Sequence, residues 1–215
     1  MKDTKQIKFW KGQFGKDYTD RCQYSDKEWD NHYLRQHGKT KIEMNNDFIG
    51  NLSKDIKILE VGCNVGNQLR GLQRQGFKNL YGIELQWYAV EESKKMTTGI
   101  NIIQGSGFDI PFKDNYFDLV FTNGVLIHIR PEDLSDVMRE IYRVVSKYIW
   151  GWEYFAEDVT EINYRGNEGF LWKADYAKIY LETLSNLKEI KKQVIPYINE
   201  EEKGNVNCMF LLEKM

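Results

Sequence analysis

The chain has 215 residues, 41% of them hydrophobic, with Lys+Arg 30 against Asp+Glu 32 and a formal net charge of −2. That length supports one sizeable core in one domain, and the near-neutral balance leaves no electrostatic footprint for nucleic acid or an anionic membrane surface. Cys22, Cys63 and Cys208 form neither a CxxC nor a zinc-ligand spacing, which argues against a disulfide framework and structural zinc and for a reducing cytoplasm; neither a signal peptide nor a run of about 18 apolar residues is present.

Residues 1–24 mix Phe9, Trp10, Phe14 and Tyr18 with Lys11, Lys16, Asp17, Asp20 and Arg21, interrupted by Gly12 and Gly15. The pattern is not that of a strand and is only weakly helical. It reads either as an arm packed on the core or as a lid, whose aromatics would exclude water while Tyr18 or Arg21 held a ligand carboxylate. Ser25-x-x-Glu28 and Thr40-x-x-Glu43 have the capping-box pattern, which predicts one helix over about 26–36 and a second with Ile42, Phe48, Ile49 and Leu52 on its apolar face. Residues 1–54 thus precede a core at 55–215 within the same domain.

From Ile56 strand and helix patterns alternate, predicting a mostly parallel, doubly wound sheet with helices on both faces. The first strand ends at Glu60, and the chain turns through Gly62, Asn64 and Gly66 into a helix stopped by Gly76. Glycines there permit positive φ and bring backbone N–H groups close to a ligand, and the helix N-terminus adds partial positive charge. A nucleotide-like cofactor is expected. The GxGxxG dinucleotide fingerprint fails at Asn64 and Asn67, and Glu60 would repel a pyrophosphate but attract an ammonium or sulfonium. The second strand, 79–84, ends on Glu84, followed by Leu85; a carboxylate at that tip matches a vicinal diol.

A third strand over 100–104 leads into Ser106, Gly107 and Phe108, and a fourth over 117–122 opens with Asp118, a structural residue in this reading. The loop 123–129 presents Asn123 and His128. An imidazole with an ordinary pKa near 6.5 can serve as a general base; a packing place beside the cofactor is the other reading of His128. A helix from Pro131 is scaffold. The fifth strand, 148–154, feeds a long insertion, in which Glu153, Tyr154, Tyr164, Arg165, Trp172 and Lys173 offer polar, stacking and cationic groups to a substrate, or else form a solvated loop anchored by its aromatics. A helix capped by Asp175 and two strands, 188–196 and 205–213, complete seven strands with the last antiparallel.

Glu60-Val-Gly-Cys-Asn-Val-Gly66 resembles the first motif of class I S-adenosylmethionine-dependent methyltransferases, roughly (E/D)xGxGxG, and Phe117-Asp-Leu-Val120 resembles their FD(L/V)V strand. The resemblance implies a Rossmann-like fold with an N-terminal helical lid and S-adenosylmethionine as cofactor. It places Tyr18, Arg21, Glu60, Gly62, Asn64, Gly66 and Asn123 around the methionine part, Glu84 and Leu85 at the ribose, and Ser106, Gly107 and Phe108 at the adenine, although many members have an acid where Ser106 stands. The loop after strand four lacks the NPPY-like motif of adenine or cytosine amino methylation. Phe9–Arg21 and Tyr164–Asp175 are similar to the pseudaminic-acid-biosynthesis-associated methylases. That similarity implies a small polar or phosphorylated acceptor, such as an activated sugar for a bacterial surface polysaccharide, methylated on O or N by a cytoplasmic monomer or homodimer. His128 is then the candidate base, with Glu153 and His32 in reserve and no metal required. An NAD-dependent reductase and a non-catalytic cofactor-binding protein are the alternative readings.

Overall fold

A computed structural model describes residues 2–215. The chain opens with four helices, α1 (Lys5–Lys11), α2 (Gln13–Arg21), α3 (Asp26–His37) and α4 (Lys41–Ile49). Both capping boxes form: the hydroxyls of Ser25 and Thr40 accept the N–H of Glu28 and Glu43, whose carboxylates return to the cap N–H groups. The weakly helical reading of residues 1–24 is corrected. Thr4 caps α1 by accepting the Ile7 N–H, and Gly12 ends α1 while starting α2. The aromatic residues of the two helices then stack on one another, Phe9 on Phe14 at 4.1 Å and Trp10 edge-on to Tyr18 at 5.3 Å.

The alternating region runs β1 (Lys57–Val61), α5 (Asn67–Arg74), β2 (Asn79–Glu84), α6 (Trp87–Met96), β3 (Asn101–Gln104), β4 (Phe117–Asn123), α7 (Leu134–Val144) and β5 (Val145–Tyr154). There follow a two-stranded ribbon, β6 (Thr160–Glu161) with β7 (Trp172–Lys173), and then α8 (Tyr176–Thr183), β8 (Leu187–Pro196) and β9 (Val206–Lys214). Seven strands make one Rossmann-like sheet in the order β3-β2-β1-β4-β5-β9-β8, with β1 to β5 mutually parallel and β9 antiparallel to both neighbours. The final strand is therefore internal, and its residues Asn207–Leu212 are buried. Strand β8 takes the edge, where Lys188, Lys191 and Lys192 discourage pairing with another chain.

Helices cover both faces. On one, α7 and α8 pack Met138, Ile141, Tyr176 and Tyr180 against Val120, Ile149 and Phe210. On the other, α3, α4 and α5 pack Trp29, Met44, Ile49 and Leu69 against Ile58, Phe121 and Trp150. Burial of each such side chain contributes roughly 1.5–3 kcal/mol against chain entropy. Asp118 accepts the Lys57 N–H at 2.8 Å and so aligns the starts of β4 and β1. The strand order reverses between β1 and β4, and at such a reversal a crevice opens beyond the carboxyl ends of the strands.

Strand β5 contacts β9 closely enough to require glycine at 151, where an added Cβ would lie 2.2 Å from the Phe210 ring. Gly151→Ala is expected to destabilise the fold by about 3 kcal/mol, measured as a lower urea midpoint at unchanged slope; wild-type stability would refute this packing.

Candidate functional site

The crevice at the β1/β4 switch point is roofed by α1 and α2 into a cavity. Its walls include Trp10, Tyr18 and Cys22 from the roof, Glu60–Asn64 from β1, Glu84–Gln86 from β2, Gly105–Phe108, and Asn123–Val125 with His128 from β4. The roof is latched by side chains whose hydrogen bonds cross large sequence separations. Asn64 Nδ2 donates to Thr19 Oγ1 (3.1 Å), Asn67 Nδ2 to the Cys22 carbonyl (2.7 Å), and Gln86 Nε2 to the Gly12 carbonyl (3.0 Å). Gln6 Nε2 donates to the Gly169 carbonyl at 2.8 Å, joining the roof to the insertion. Thr4, Gln6, Ile7, Trp29, Gln68, Gln86, Ile129, Asp133 and Val137 also line the cavity, and sequence reasoning missed them.

The β1 loop does not offer its amides to a ligand, contrary to the expectation from its glycines. Gly62 and Cys63 N–H both donate to the Ile83 carbonyl (2.8 and 3.1 Å), and Gly66 N–H donates to the Cys63 carbonyl (2.8 Å). Val65 N–H donates to Asn64 Oδ1 and Asn64 N–H to Glu84 Oε2 (2.8 and 2.9 Å). The glycines instead serve backbone shape and close approach: Gly62 and Gly66 have φ of 74° and 79°, and a Cβ on Gly62 would meet Val125 at 2.7 Å. Asn64 adopts φ 47° at the middle-glycine position, a conformation asparagine tolerates better than most residues.

Three strand ends give the cavity its chemistry. Glu84 is held by the Asn64 and Gln86 N–H groups on its two oxygens, which orients it while leaving lone pairs for a diol. Burial raises its pKa, and the neighbouring amides of Gln86, Asn64 and Leu85 oppose the rise. At one end of the cavity Glu60 Oε2, Asn123 Oδ1 and Gln68 Oε1 are buried acceptors without partners, beside the unpartnered Trp29 Nε1–H donor. Buried polar atoms are rarely left so; three acceptors and a donor suit an ammonium with a carboxylate. At the other end Ser106, buried, accepts the Phe108 N–H at 3.2 Å, and Val61, Gly107, Phe108 and Val137 line a slot suited to a flat base.

His128 stands in the short 3₁₀ turn Leu126–His128 and donates from Nδ1 to the Phe170 carbonyl at 2.7 Å, which leaves Nε2 as the acceptor of a neutral ring. Burial pushes its pKa down to about 4, against the pull of that carbonyl. The ring packs on Trp10 (4.6 Å) and Tyr164 (4.9 Å). Glu153 does not line the cavity. Its oxygens accept the Val125 and Ile127 N–H groups (3.2 and 3.4 Å), so it shapes the turn that carries His128 and cannot reach a substrate as a base. Burial pushes its carboxyl up to about 7 in spite of those bonds and that from Thr122.

Tyr18, Glu60, Gly62, Asn64, Glu84, Leu85, Ser106, Gly107, Phe108, Asn123 and His128 line the cavity as a set. Gly66 starts α5 behind it, and Arg21 is exposed at the end of α2, its guanidinium 5.9 Å from the Tyr18 ring. Tyr154, Trp172 and Lys173 turn to other partners: Tyr154 sits 6.0 Å from Tyr197, Trp172 is buried, and Lys173 Nζ bonds Asn205 Oδ1. Tyr164 and exposed Arg165 remain beside the roof. His32 is no solvated reserve base; it is wedged 5.5 Å from Tyr24 and 6.2 Å from Trp29, and burial lowers its pKa.

The raised Glu153 carboxyl makes a pH prediction. The folded state holds a proton that the unfolded chain has released between the ordinary carboxyl value of about 4.3 and about 7, so this group's contribution is fully present below the former and lost as pH rises through about 7. Glu153→Gln should gain stability relative to wild type as pH is raised from 5 to 8 in parallel denaturation curves. A constant difference across that range would refute the burial assigned to this carboxyl.

Residues 59–148 match a family model described as a methyltransferase domain. Among curated proteins, the chain is 27% identical over 127 residues to an uncharacterised protein of Haemophilus influenzae, covering 53% of this chain and 51% of that protein. It is 28% identical over 101 residues to a sterol 24-C-methyltransferase of Aspergillus fumigatus, covering 44% and 26%. The chain thus spans about half, or less, of the length of these relatives. Similar folds are found in a protein of Pyrococcus horikoshii (TM-score 0.67, 15% identity, 90% of this chain and 94% of that one). They recur in a 1,6-didemethyltoxoflavin-N1-methyltransferase of Burkholderia thailandensis solved with bound 1,6-didemethyltoxoflavin and S-adenosylhomocysteine (TM-score 0.63, 12% identity, 81% and 76%).

Proposed function

We infer that this chain, with its methyltransferase domain, transfers the methyl group of S-adenosylmethionine to the oxygen or nitrogen of a small polar acceptor. The observation that carries this reading is the set of partnerless buried groups at the β1 and β4 ends, Glu60 Oε2, Asn123 Oδ1, Gln68 Oε1 and Trp29 Nε1, in one cavity with the diol-matching Glu84. An amino-acid head, a ribose and a purine fit those three stations in that order. A dinucleotide fits poorly, because the loop amides that would cradle a pyrophosphate are spent within the protein. The two segments similar to the pseudaminic-acid-associated methylases support an activated sugar or surface-polysaccharide precursor as acceptor: they meet at Phe9–Phe170 (4.1 Å) and Phe14–Tyr164 (5.6 Å).

S-adenosylmethionine supplies a methyl group activated on a sulfonium. The protein's task is alignment and water exclusion, which in oriented reactions can account for much of the barrier reduction. Glu84 fixes the ribose end, Ser106 and Gly107 the base, and the latched roof keeps water out. Acceptor access is from the side of Tyr18, Cys22 and Tyr164. His128 Nε2, fixed as an acceptor by the Nδ1–H bond to Phe170, takes a hydrogen bond from the acceptor hydroxyl or amine and receives its proton as the methyl arrives.

Glu84→Ala should weaken S-adenosylmethionine binding at least tenfold by calorimetry while NADH shows no binding to either protein; unchanged affinity would remove Glu84 from the site. Methyl-transfer assays against nucleotide sugars, phosphorylated sugars and amino alcohols test the acceptor class, and methylation of none of them would overturn it. Because the His128 ring is neutral down to about pH 4, its protonation should add no acid limb near pH 6.5 to the kcat/KM profile. His128→Gln should lower kcat without changing cofactor affinity, and a wild-type limb near 6.5 that this variant abolished would contradict the depressed value.

A further inference from the structure

Two side chains of the cavity wall hold consecutive carbonyls of the insertion, and each keeps one acceptor atom unused. Gln6, in the first turn of α1, donates from Nε2 to the Gly169 carbonyl at 2.8 Å. His128 donates from Nδ1 to the next carbonyl, that of Phe170, at 2.7 Å. A carbonyl accepts and cannot donate, so the first bond fixes which atom of the Gln6 amide is nitrogen. Its Oε1 is then left buried and without a partner, on a residue only 5% exposed. Residues 169 and 170 are chain neighbours, about 3.8 Å apart at Cα, so the two bonds anchor Gln6 and His128 side by side. Two ring contacts hold the same alignment. Trp10, one helical turn beyond Gln6, packs on the His128 ring at 4.6 Å, and Phe9 packs on Phe170 at 4.1 Å. Gln6, Trp10 and His128 all line the cavity, and the Trp10 Nε1–H donor is also buried without a partner. This part of the wall thus presents two acceptors, Gln6 Oε1 and His128 Nε2, with one donor beside them. A strong base is not among them. The group behind the imidazole is a neutral carbonyl, which stabilises an imidazolium far less than a carboxylate would. Of the carboxylates in the cavity wall, Glu60 and Glu84 belong to the ends of β1 and β2, and Asp133 is ion-paired with Lys2 (2.6 Å) and Arg130 (3.0 Å).

We propose that Gln6 and His128 together read a neutral amine on the acceptor, one N–H bonded to Gln6 Oε1 and the other to His128 Nε2, with the nitrogen lone pair left free for the methyl group. This rests on the methyltransferase reading and narrows its acceptor to an amino compound, which for a sugar means an amino sugar. A single hydroxyl has one hydrogen to give and would leave one of the two acceptors unpaired, which is costly for a buried group. A pair of hydroxyls fills both acceptors, but methylating either one requires its proton to leave as the new bond forms, and that demands a stronger base than this ring. An amine avoids the demand. The nitrogen lone pair forms the N–C bond, the C–S pair returns to sulfur, and the product is an ammonium whose surplus proton becomes acidic only as the methyl arrives. That proton leaves along the bond to His128 Nε2. Trp10 Nε1–H stands ready for an oxygen on the neighbouring carbon, as in a 1,2-amino alcohol.

The test uses the full chain and two matched pairs of probes, glucosamine with glucose and UDP-glucosamine with UDP-glucose, at a pH above the amine's own pKa. Calorimetry reads binding, and ¹⁵N NMR reads the His128 Nε2 resonance. In at least one pair the amino member is expected to bind at least tenfold tighter than its hydroxyl counterpart and to shift that resonance. Gln6→Leu should weaken this binding at least tenfold. Gln6→Glu keeps an acceptor oxygen while giving up the bond to Gly169, so it should retain the binding. Equal affinity for both members of each pair would overturn the amine reading, as would binding of none of the four probes. Equal affinities in the two Gln6 variants would reduce Gln6 to a latch and overturn it too. A parallel calorimetric titration with S-adenosylmethionine separates the two readings: no cofactor binding by the wild type would sink the methyltransferase assignment and leave the amine result standing.

Discussion

The hydrogen bonds of Asn64 hold the site together. Its N–H fixes Glu84, its Oδ1 takes the Val65 N–H, and its Nδ2 reaches Thr19 on the roof. One residue thereby couples the ends of β1 and β2 to α2, from the left-handed backbone it adopts. Glycine would supply that backbone but neither side-chain bond. Each such bond contributes only about 1 kcal/mol net, but leaving a buried partner unpaired costs more, so the loss of Asn64 would be felt at Glu84 and at the roof together. The departure from the glycine-rich motif at this position is thus the means by which the roof is attached.

Behind the cavity lies a second constraint, a buried lysine whose Nζ has no hydrogen-bond partner. Lys41 Nζ sits 3.4 Å from the centroid of the Trp152 ring, and burial drives its pKa well down while Glu60 and Glu153 pull it up. Burial drives Glu60 well up, opposed by Lys41 and reinforced by Glu84. Both directions favour the neutral forms, so neither group stands as an isolated charge in a region that water does not reach. A cationic ligand beside Glu60 would favour its carboxylate form, as Lys41 does.

Much of this was legible in the sequence, for a definite reason. Capping boxes, strand–helix alternation and acids at strand tips are local patterns, and the helices, the seven-stranded order of events along the chain, and Glu60 and Glu84 followed from them. What did not follow depends on tertiary placement. Gln6, Asn67 and Gln86 carry no periodic signature, yet they latch the roof because folding brings carbonyls of distant segments to their amides. Glu153 read as a reserve base from its place at a strand end; alternation along β5 points it into the sheet's buried face instead, where only the N–H groups of the 125–127 turn meet it. The helicity of residues 5–21 was masked by propensity: glycines and aromatics are poor helix formers in isolation, and packing on the sheet's end supplies what propensity lacks.

The roof and the insertion share one further property, which bears on how the site can open. Their contact is almost wholly aromatic, Phe9 on Phe170 at 4.1 Å, Phe14 on Tyr164 at 5.6 Å and Trp10 on Tyr164 at 6.4 Å, with the Gln6–Gly169 bond at its margin. Such stacking is dense but carries little directional penalty when rings slide. The roof's bonds to the β1 and β2 loops, by contrast, are directional and mostly under 3.2 Å. Separation between roof and insertion therefore breaks fewer specific bonds than separation between roof and sheet. The seam beside His128 is therefore the one that parts at the lower cost, while the cavity wall at Glu60, Glu84 and Ser106 stays covered by the roof.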